Sequence, residues 1–246
     1  MVCFFVQGAY LYLESIMEQS YLDISKSYWQ VANKFPLNKE EIYPEHGKAH
    51  NFDGHHGEVC LEYGCGGGSD TLSMLRRGNF VYFVDIVPEN VQITHENTVK
   101  AGLSEKTQWW MLEDSAKILL PDNCLDVVNC HGVLHHIHEP ESVLREFHRV
   151  LKPGGILYCM LYTEIMWRHF HATIKQLMLE RNIDQFEAFC LCSDSGGPYA
   201  RAYTEDEAYD LFENNGFVIE NVIEYKKLNS FFRTFWCVKP TQNMVG

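Results

Sequence analysis

The distribution of apolar and polar positions divides the chain into two unequal stretches. Over residues 18–33, Tyr21, Ile24, Tyr28, Trp29 and Val31 fall on one face at helical spacing, which predicts a helix. Residues 34–57 are polar and rich in Pro, His and Gly, the composition of a loop. From Glu58 onward, short apolar runs alternate with helical periods. Residues 58–63, 80–84, 108–112, 126–130 and 156–162 read as strands. Residues 70–77, 88–101 and 140–151 read as helices. Pro88 suits the first turn of the second of these. In the third, Val143, Leu144, Phe147, Val150 and Leu151 repeat at three and four, and Lys152-Pro153-Gly154-Gly155 stops it.

Strands alternating with helices imply right-handed βαβ units around a parallel sheet. A run as apolar as 80–84 fits a strand covered on both faces. After Tyr162 the rhythm breaks. Residues 165–182 read as a long helix and 183–203 as irregular. Thr204 and Glu207 then form a capping box for a helix that closes at Asn215-Gly216. Runs 217–225 and 231–238, joined by a short polar link, predict an antiparallel pair. The expected organisation is a helical cap and loop over 1–57 and one α/β domain over 58–246, with a lid inserted at about 163–203.

Composition narrows the partners. With 246 residues, 46% of them hydrophobic, the chain can bury one substantial core. A net charge of -13 without a dense Lys/Arg block repels phosphate backbones, so nucleic acid is a poor substrate. No apolar run reaches the length of about 18 residues that a membrane-spanning helix needs. The nine cysteines are scattered without paired spacings, which predicts a reduced, cytoplasmic setting. Residues 2–13 are apolar but lack a preceding basic region and a clear cleavage site, so a helix packed on the domain is expected rather than a leader. Met17 is an alternative start of translation.

The chemistry concentrates where the first strand ends, in Val59-Cys-Leu-Glu-Tyr-Gly-Cys-Gly-Gly-Gly-Ser-Asp70. Glycines tighten such a turn and let a ligand press on bare backbone beside the free amides of a helix start. The dinucleotide fingerprint needs glycine at its first, third and sixth positions; counted from Gly64, the sixth is Ser69. The pattern is instead Glu62-x-Gly64-x-Gly66-x-Gly68, and an acid two residues before the first glycine suits the amino group of a methionine moiety. Asp85, ending the second strand, can accept from both hydroxyls of a ribose. Asp114, after the third strand, can accept from an adenine amino group.

These pieces resemble the class I S-adenosylmethionine-dependent methyltransferases, and within them the methyltransferase domain 11 or UbiE-like group. The resemblance rests on Leu61-Glu-Tyr-Gly-Cys-Gly-Gly-Gly, Phe83-Val-Asp, Glu113-Asp-Ser-Ala, Leu125-Asp-Val-Val-Asn-Cys-His-Gly-Val-Leu-His-His-Ile and Phe147-His-Arg-Val-Leu-Lys-Pro-Gly-Gly. It implies a Rossmann-like three-layer sandwich with a seven-stranded, mostly parallel sheet whose last strand is antiparallel. It also implies S-adenosylmethionine as cofactor. Glu62, Gly64, Cys65 and Gly66 would line methionine and ribose, Asp85 would bind ribose, Ile86 would pack on adenine, and Asp114 and Ser115 would sit at the adenine edge. Asn129, Cys130 and His131 would approach the methionine end, and Tyr21, Tyr28 and Trp29 would close over the cofactor.

The expected reaction is in-line transfer of a methyl group to an oxygen or nitrogen of a small molecule, in which alignment supplies much of the rate. Candidate bases are His131, His135, His169, Tyr162 and Tyr203. Candidate acceptor contacts are Trp29, Tyr162, Arg201 and Tyr203. No metal is expected, because the histidines at 131, 135, 136 and 138 lack a matching acidic pattern. Two other readings stay open here: a non-catalytic S-adenosylmethionine-binding sensor or partner subunit, and a nicotinamide dehydrogenase.

Overall fold

The structure is a computed structural model that describes residues 28–29, 39, 43–193 and 199–241. The expected helix over 18–33 therefore lies outside the described residues except at Tyr28 and Trp29, both helical. The strands are β1 (Val59–Tyr63), β2 (Phe80–Asp85), β3 (Thr107–Met111), β4 (Leu125–Cys130), β5 (Leu151–Thr163), β6 (Ala202–Tyr203), β7 (Val218–Glu224) and β8 (Phe232–Val238). The helices are α1 (His46–Ala49), α2 (Ser69–Arg76), α3 (Pro88–Lys100), α4 (Pro140–Val150), α5 (Glu164–Arg181), α6 (Gln185–Cys192) and α7 (Glu205–Glu213).

One sheet runs in the order β3-β2-β1-β4-β5-β8-β7, and β6 adds a short parallel pairing to β5. β1 to β5 are parallel, while β8 runs antiparallel to both β5 and β7. This is the Rossmann-like sandwich expected from the sequence, with the hairpin at its far edge. The apolar stripe of α4 buries Val143, Leu144, Phe147 and Val150 completely. Each such side chain contributes about 1.5–3 kcal/mol of burial free energy.

The two sheet faces hold different partners. Leu61, Tyr63, Val128 and Cys130 point to the side covered by α4 and α7. Cys60, Val81 and Val127 point to the side where α2 and Phe52 pack. Residues alternate faces along a strand, so Glu62 and Asn129 share this second side. At its far end, Met160 and Tyr162 meet Tyr43 and Ala49, together with Met166, Ile174 and Phe189 of α5 and α6.

Three expectations need correction. Lys152 to Gly155 do not simply stop a helix: β5 already begins at Leu151, and a register shift between Leu125 and Val127 absorbs the glycines. Residues 183–203 are not uniformly irregular, because Asp184 caps α6 in a capping box with Glu187 and Ala202–Tyr203 forms β6. Within 34–57, α1 and a short 3-10 turn at Phe52–Gly54 interrupt the loop.

Candidate active site

The glycine turn is built at the ends of β1 and β2. Gly64 and Cys65 both donate backbone N–H to Val84 O at 2.9 Å. Gly64 has φ +83, and a Cβ there would lie 2.3 Å from Val133 Cγ2, so no other residue fits without displacement. Asp85 is buried and ties the turn to α3. Its Oδ2 accepts from Gly66 N at 3.0 Å and its Oδ1 from Val87 N at 2.9 Å. Burial pushes its pKa up, and these backbone hydrogen bonds pull the other way. Ile86 is partly buried against the core beside it.

Asp114 is exposed and its Oδ1 accepts from Ala116 N at 2.8 Å, an Asx turn that shapes the loop after β3. The neighbouring Ser115 O accepts from Tyr63 Oη at 2.6 Å. The glycine turn, Asp85, Ile86 and the Asp114–Ser115 loop thus lie along the carboxyl ends of three adjacent strands, where open α/β sheets bind ligands.

On the same edge, the second sheet face carries a buried polar cluster. Glu62 is fully buried; Oε2 accepts from Asn129 Nδ2 at 2.7 Å, and Oε1 has no partner among the described residues. Burial, then repulsion from Asp70, raises the Glu62 pKa well above the usual carboxylate range. Asp70, in the first turn of α2, places Oδ1 2.7 Å from His46 Nε2 and Oδ2 2.6 Å from Lys39 Nζ. Burial alone would raise its pKa, but His46 and Lys39 outweigh that and hold it well below normal. His50 Nδ1 hydrogen-bonds Asn129 Oδ1, and His131 Nδ1 lies 3.2 Å from Lys39 Nζ. Burial first, then the Lys39 charge and the two neighbouring imidazoles, lower the His131 pKa well below its ordinary value. Burial and His46 do the same to His50. Both rings are neutral near pH 7.

The segment carrying His46 and His50 is anchored at two points. Trp236 Nε1 donates to Ala49 O at 2.7 Å, and the Tyr43 ring packs edge-on against His131, with centroids 5.1 Å apart. Lys39, His46, His50 and Asp70 were not expected as site residues. The His46-x-x-x-His50 spacing was the available signal, since residues four apart share a helix face.

The remaining sequence candidates separate from this cluster. Cys130 is a correction: its thiol lies in the core beneath α4, paired across the sheet with Cys159, which leaves only its backbone at the site. His135 is fully buried, stacks on Tyr162 with centroids 3.6 Å apart, and places Nδ1 3.3 Å from Met160 O. These contacts pack it against Tyr162 and Met160 of β5. Tyr162 turns its hydroxyl to His136 Nε2 at 3.2 Å, and Trp29 packs on the His136 ring at 4.8 Å. His169 is exposed on α5 and packs on Phe231, so it does not join the cluster. Tyr203 is buried with its hydroxyl unpartnered among the described residues, and burial raises its pKa above the phenolic range. Arg201 lies over the Tyr203 ring at 4.7 Å and pairs with Glu207 at 3.3 Å, tying β6 to α7.

The chain matches the methyltransferase domain family over residues 61–159. It is 26% identical to the ubiquinone biosynthesis O-methyltransferase of Pseudomonas syringae pv. tomato over 178 residues, 71% of this chain and 74% of that protein. The enzyme of the same name from Aeromonas salmonicida is 30% identical over 136 residues, 55% of this chain and 56% of its own length. The structure of an S-adenosylmethionine-dependent methyltransferase from Aquifex aeolicus superposes with a TM-score of 0.63 at 21% identity, covering 87% of this chain and 98% of that one. The Burkholderia thailandensis 1,6-didemethyltoxoflavin-N1-methyltransferase, solved with S-adenosylhomocysteine, gives 0.61 at 17% identity over 87% and 85%. These structural likenesses show the fold. Neither the sensor nor the dehydrogenase reading gains support from them. Sequence family, strand order and glycine turn agree: over residues 61–159 the chain carries a methyltransferase domain, set in the fold of the S-adenosylmethionine-dependent methyltransferases.

Proposed function

We propose that this enzyme methylates an oxygen of a small-molecule acceptor, and that the buried imidazole–carboxylate cluster beside the glycine turn receives that oxygen. S-adenosylmethionine supplies a methyl carbon already activated on a sulfonium. The residues present fit it. Gly64 leaves room for a close approach, and Asp85 keeps free lone pairs for ribose hydroxyls. The unpartnered oxygen of Glu62 suits an ammonium, which would offset the cost of its buried charge. Gly66 and Cys65 line the turn, Ile86 packs on the base, and Asp114 and Ser115 stand at its edge.

The observation that carries the oxygen assignment is the cluster itself. An alcohol or phenol must lose its proton as the new C–O bond forms and the C–S bond breaks, with the electron pair returning to sulfur. His46 presents a buried ring nitrogen, Nδ1, without a partner among the described residues, while its Nε2 is held by Asp70. That nitrogen can take up the proton, and Asp70 stabilises the resulting charge on His46. The relatives named for O-methylation support the same choice.

No helix among the described residues is long and apolar enough to cross a membrane. The described cysteines are all unpaired, which supports a reducing, cytoplasmic setting. The acidic surface supports a small acceptor over nucleic acid.

Incubating the protein and S-adenosylmethionine with a panel of phenols, alcohols and amines, and reading products by mass spectrometry, tests this. Methyl ethers from hydroxyl acceptors are the expected products. Methylation confined to amines would overturn the oxygen assignment.

A further inference from the structure

We propose that His46, His50 and His131 bind one divalent transition-metal ion of the zinc type. Each offers a ring nitrogen, and these three atoms all lie within 4.8 Å of one another. The ring centroids form a compact triangle of 4.2, 4.6 and 4.9 Å. All three rings are buried, exposed by no more than 6%. Nitrogens bound at about 2.0–2.1 Å around a tetrahedral ion stand about 3.4 Å apart, so the ring nitrogens need close by no more than about 1.4 Å.

Two observations beyond the clustering point to a ligand. His46 Nδ1 and His131 Nε2 are buried and unpartnered among the described residues. Leaving such groups unsatisfied costs about 1–3 kcal/mol each, which an ion bound there would remove. The opposite nitrogens of two rings are already held, His46 Nε2 by the Asp70 carboxylate and His50 Nδ1 by the Asn129 carbonyl. Orienting a metal-binding imidazole through its second nitrogen is the usual outer arrangement of such sites. Asp70 supplies negative charge close by, against one ammonium from Lys39.

The donor set selects the ion. Three imidazoles favour zinc, cobalt, nickel or copper over magnesium and calcium, which take oxygen ligands. Three protein ligands leave a fourth position open, the pattern of catalytic rather than structural zinc. His46 and His50 lie outside residues 61–159, so two of the three ligands belong to the part of this chain that the matched family does not cover. The inference deepens the oxygen reading above and rests on it for its use. The imidazoles would act on the acceptor together through an ion, which lowers the pKa of a bound hydroxyl, rather than singly as proton acceptors.

The test uses tag-free, chelator-stripped full-length protein titrated with Zn2+ by calorimetry and with Co2+ by visible spectroscopy. One ion per chain is expected, with the strong d–d bands of four-coordinate Co2+. His50→Gln and His131→Gln should each weaken Zn2+ binding by more than the roughly 10–100-fold typical of losing an orienting partner. His169→Gln, an exposed histidine elsewhere, should leave it unchanged. Absence of stoichiometric binding by the parent chain, or equal affinity in His50→Gln, would overturn the proposal. Should the variants unfold, the parent chain decides: Zn2+ must raise its Tm, and no shift refutes the site. S-adenosylmethionine titrated into the metal-free protein reports the methyltransferase reading separately.

Discussion

Asp70 and His46, 24 residues apart in the chain, meet at 2.7 Å with both side chains almost completely buried. The second oxygen of Asp70 holds Lys39, so one carboxylate pins two points of the N-terminal segment to the first turn of α2. Removing one partner of a buried ionic group strands the others. Asp70→Ala should therefore cost about 3–5 kcal/mol in urea unfolding. A loss below about 1 kcal/mol, the scale of an exposed pair, would show that the segment is not held this way.

Asp85 braces the glycine turn and, in the proposed reading, would offer acceptors to a ribose. Asp85→Ala should weaken S-adenosylmethionine binding, read by calorimetry, by about 100-fold. That is the equivalent of one or two hydrogen bonds to a charged group at about 1.5–3 kcal/mol each. NAD should not bind either protein appreciably, because the turn lacks the third glycine of the dinucleotide pattern.

Gly64 and Val133 form a steric pair. Gly64→Ala drives a methyl to 2.3 Å from Val133 Cγ2 and also places alanine at φ +83. Overpacking and backbone strain each cost about 1–3 kcal/mol. Val133→Ala in the same chain should recover the packing share and leave the strain. Thermal unfolding of the double-mutant cycle measures the coupling, and strict additivity would show that the two residues do not touch.

Tyr203 and His169 serve as controls on the chemistry. Tyr203→Phe deletes a buried hydroxyl that lacks a partner among the described residues, so stability should hold or rise by up to about 1 kcal/mol, with turnover retained. His169→Ala should also retain turnover. A large fall in kcat in either variant, with the fold intact by circular dichroism, would put that residue back at the reacting atoms.

The sheet and the glycine turn were legible because their signals are local. Apolar runs of strand length, helical repeats and the spacing from Glu62 to Gly68 can be read without knowing what packs where. The capping box of Thr204 and Glu207 was legible for the same reason, and the one at Asp184 and Glu187 carried an equal signal for α6, an eight-residue helix too short to show a clear apolar period. The cluster of Lys39, His46, His50, Asp70 and His131 was not legible. It unites a four-residue helix, too short to show a period, with a helix start and a strand end far along the chain. Histidines 131 to 138 looked like one group by sequence. In space the group divides: His131 joins the cluster, while His135 and His136 pack around Tyr162.

Ala49 is tethered to Trp236 of the last strand, and Tyr43 is wedged against Phe232 on the same strand. The chain thereby closes a circuit from its early residues to its late ones across the mouth of the sheet. The segment that carries His46 and His50 is thus held by β8 as well as by α2, so a change in the last strand can reach the buried cluster without touching the glycine turn.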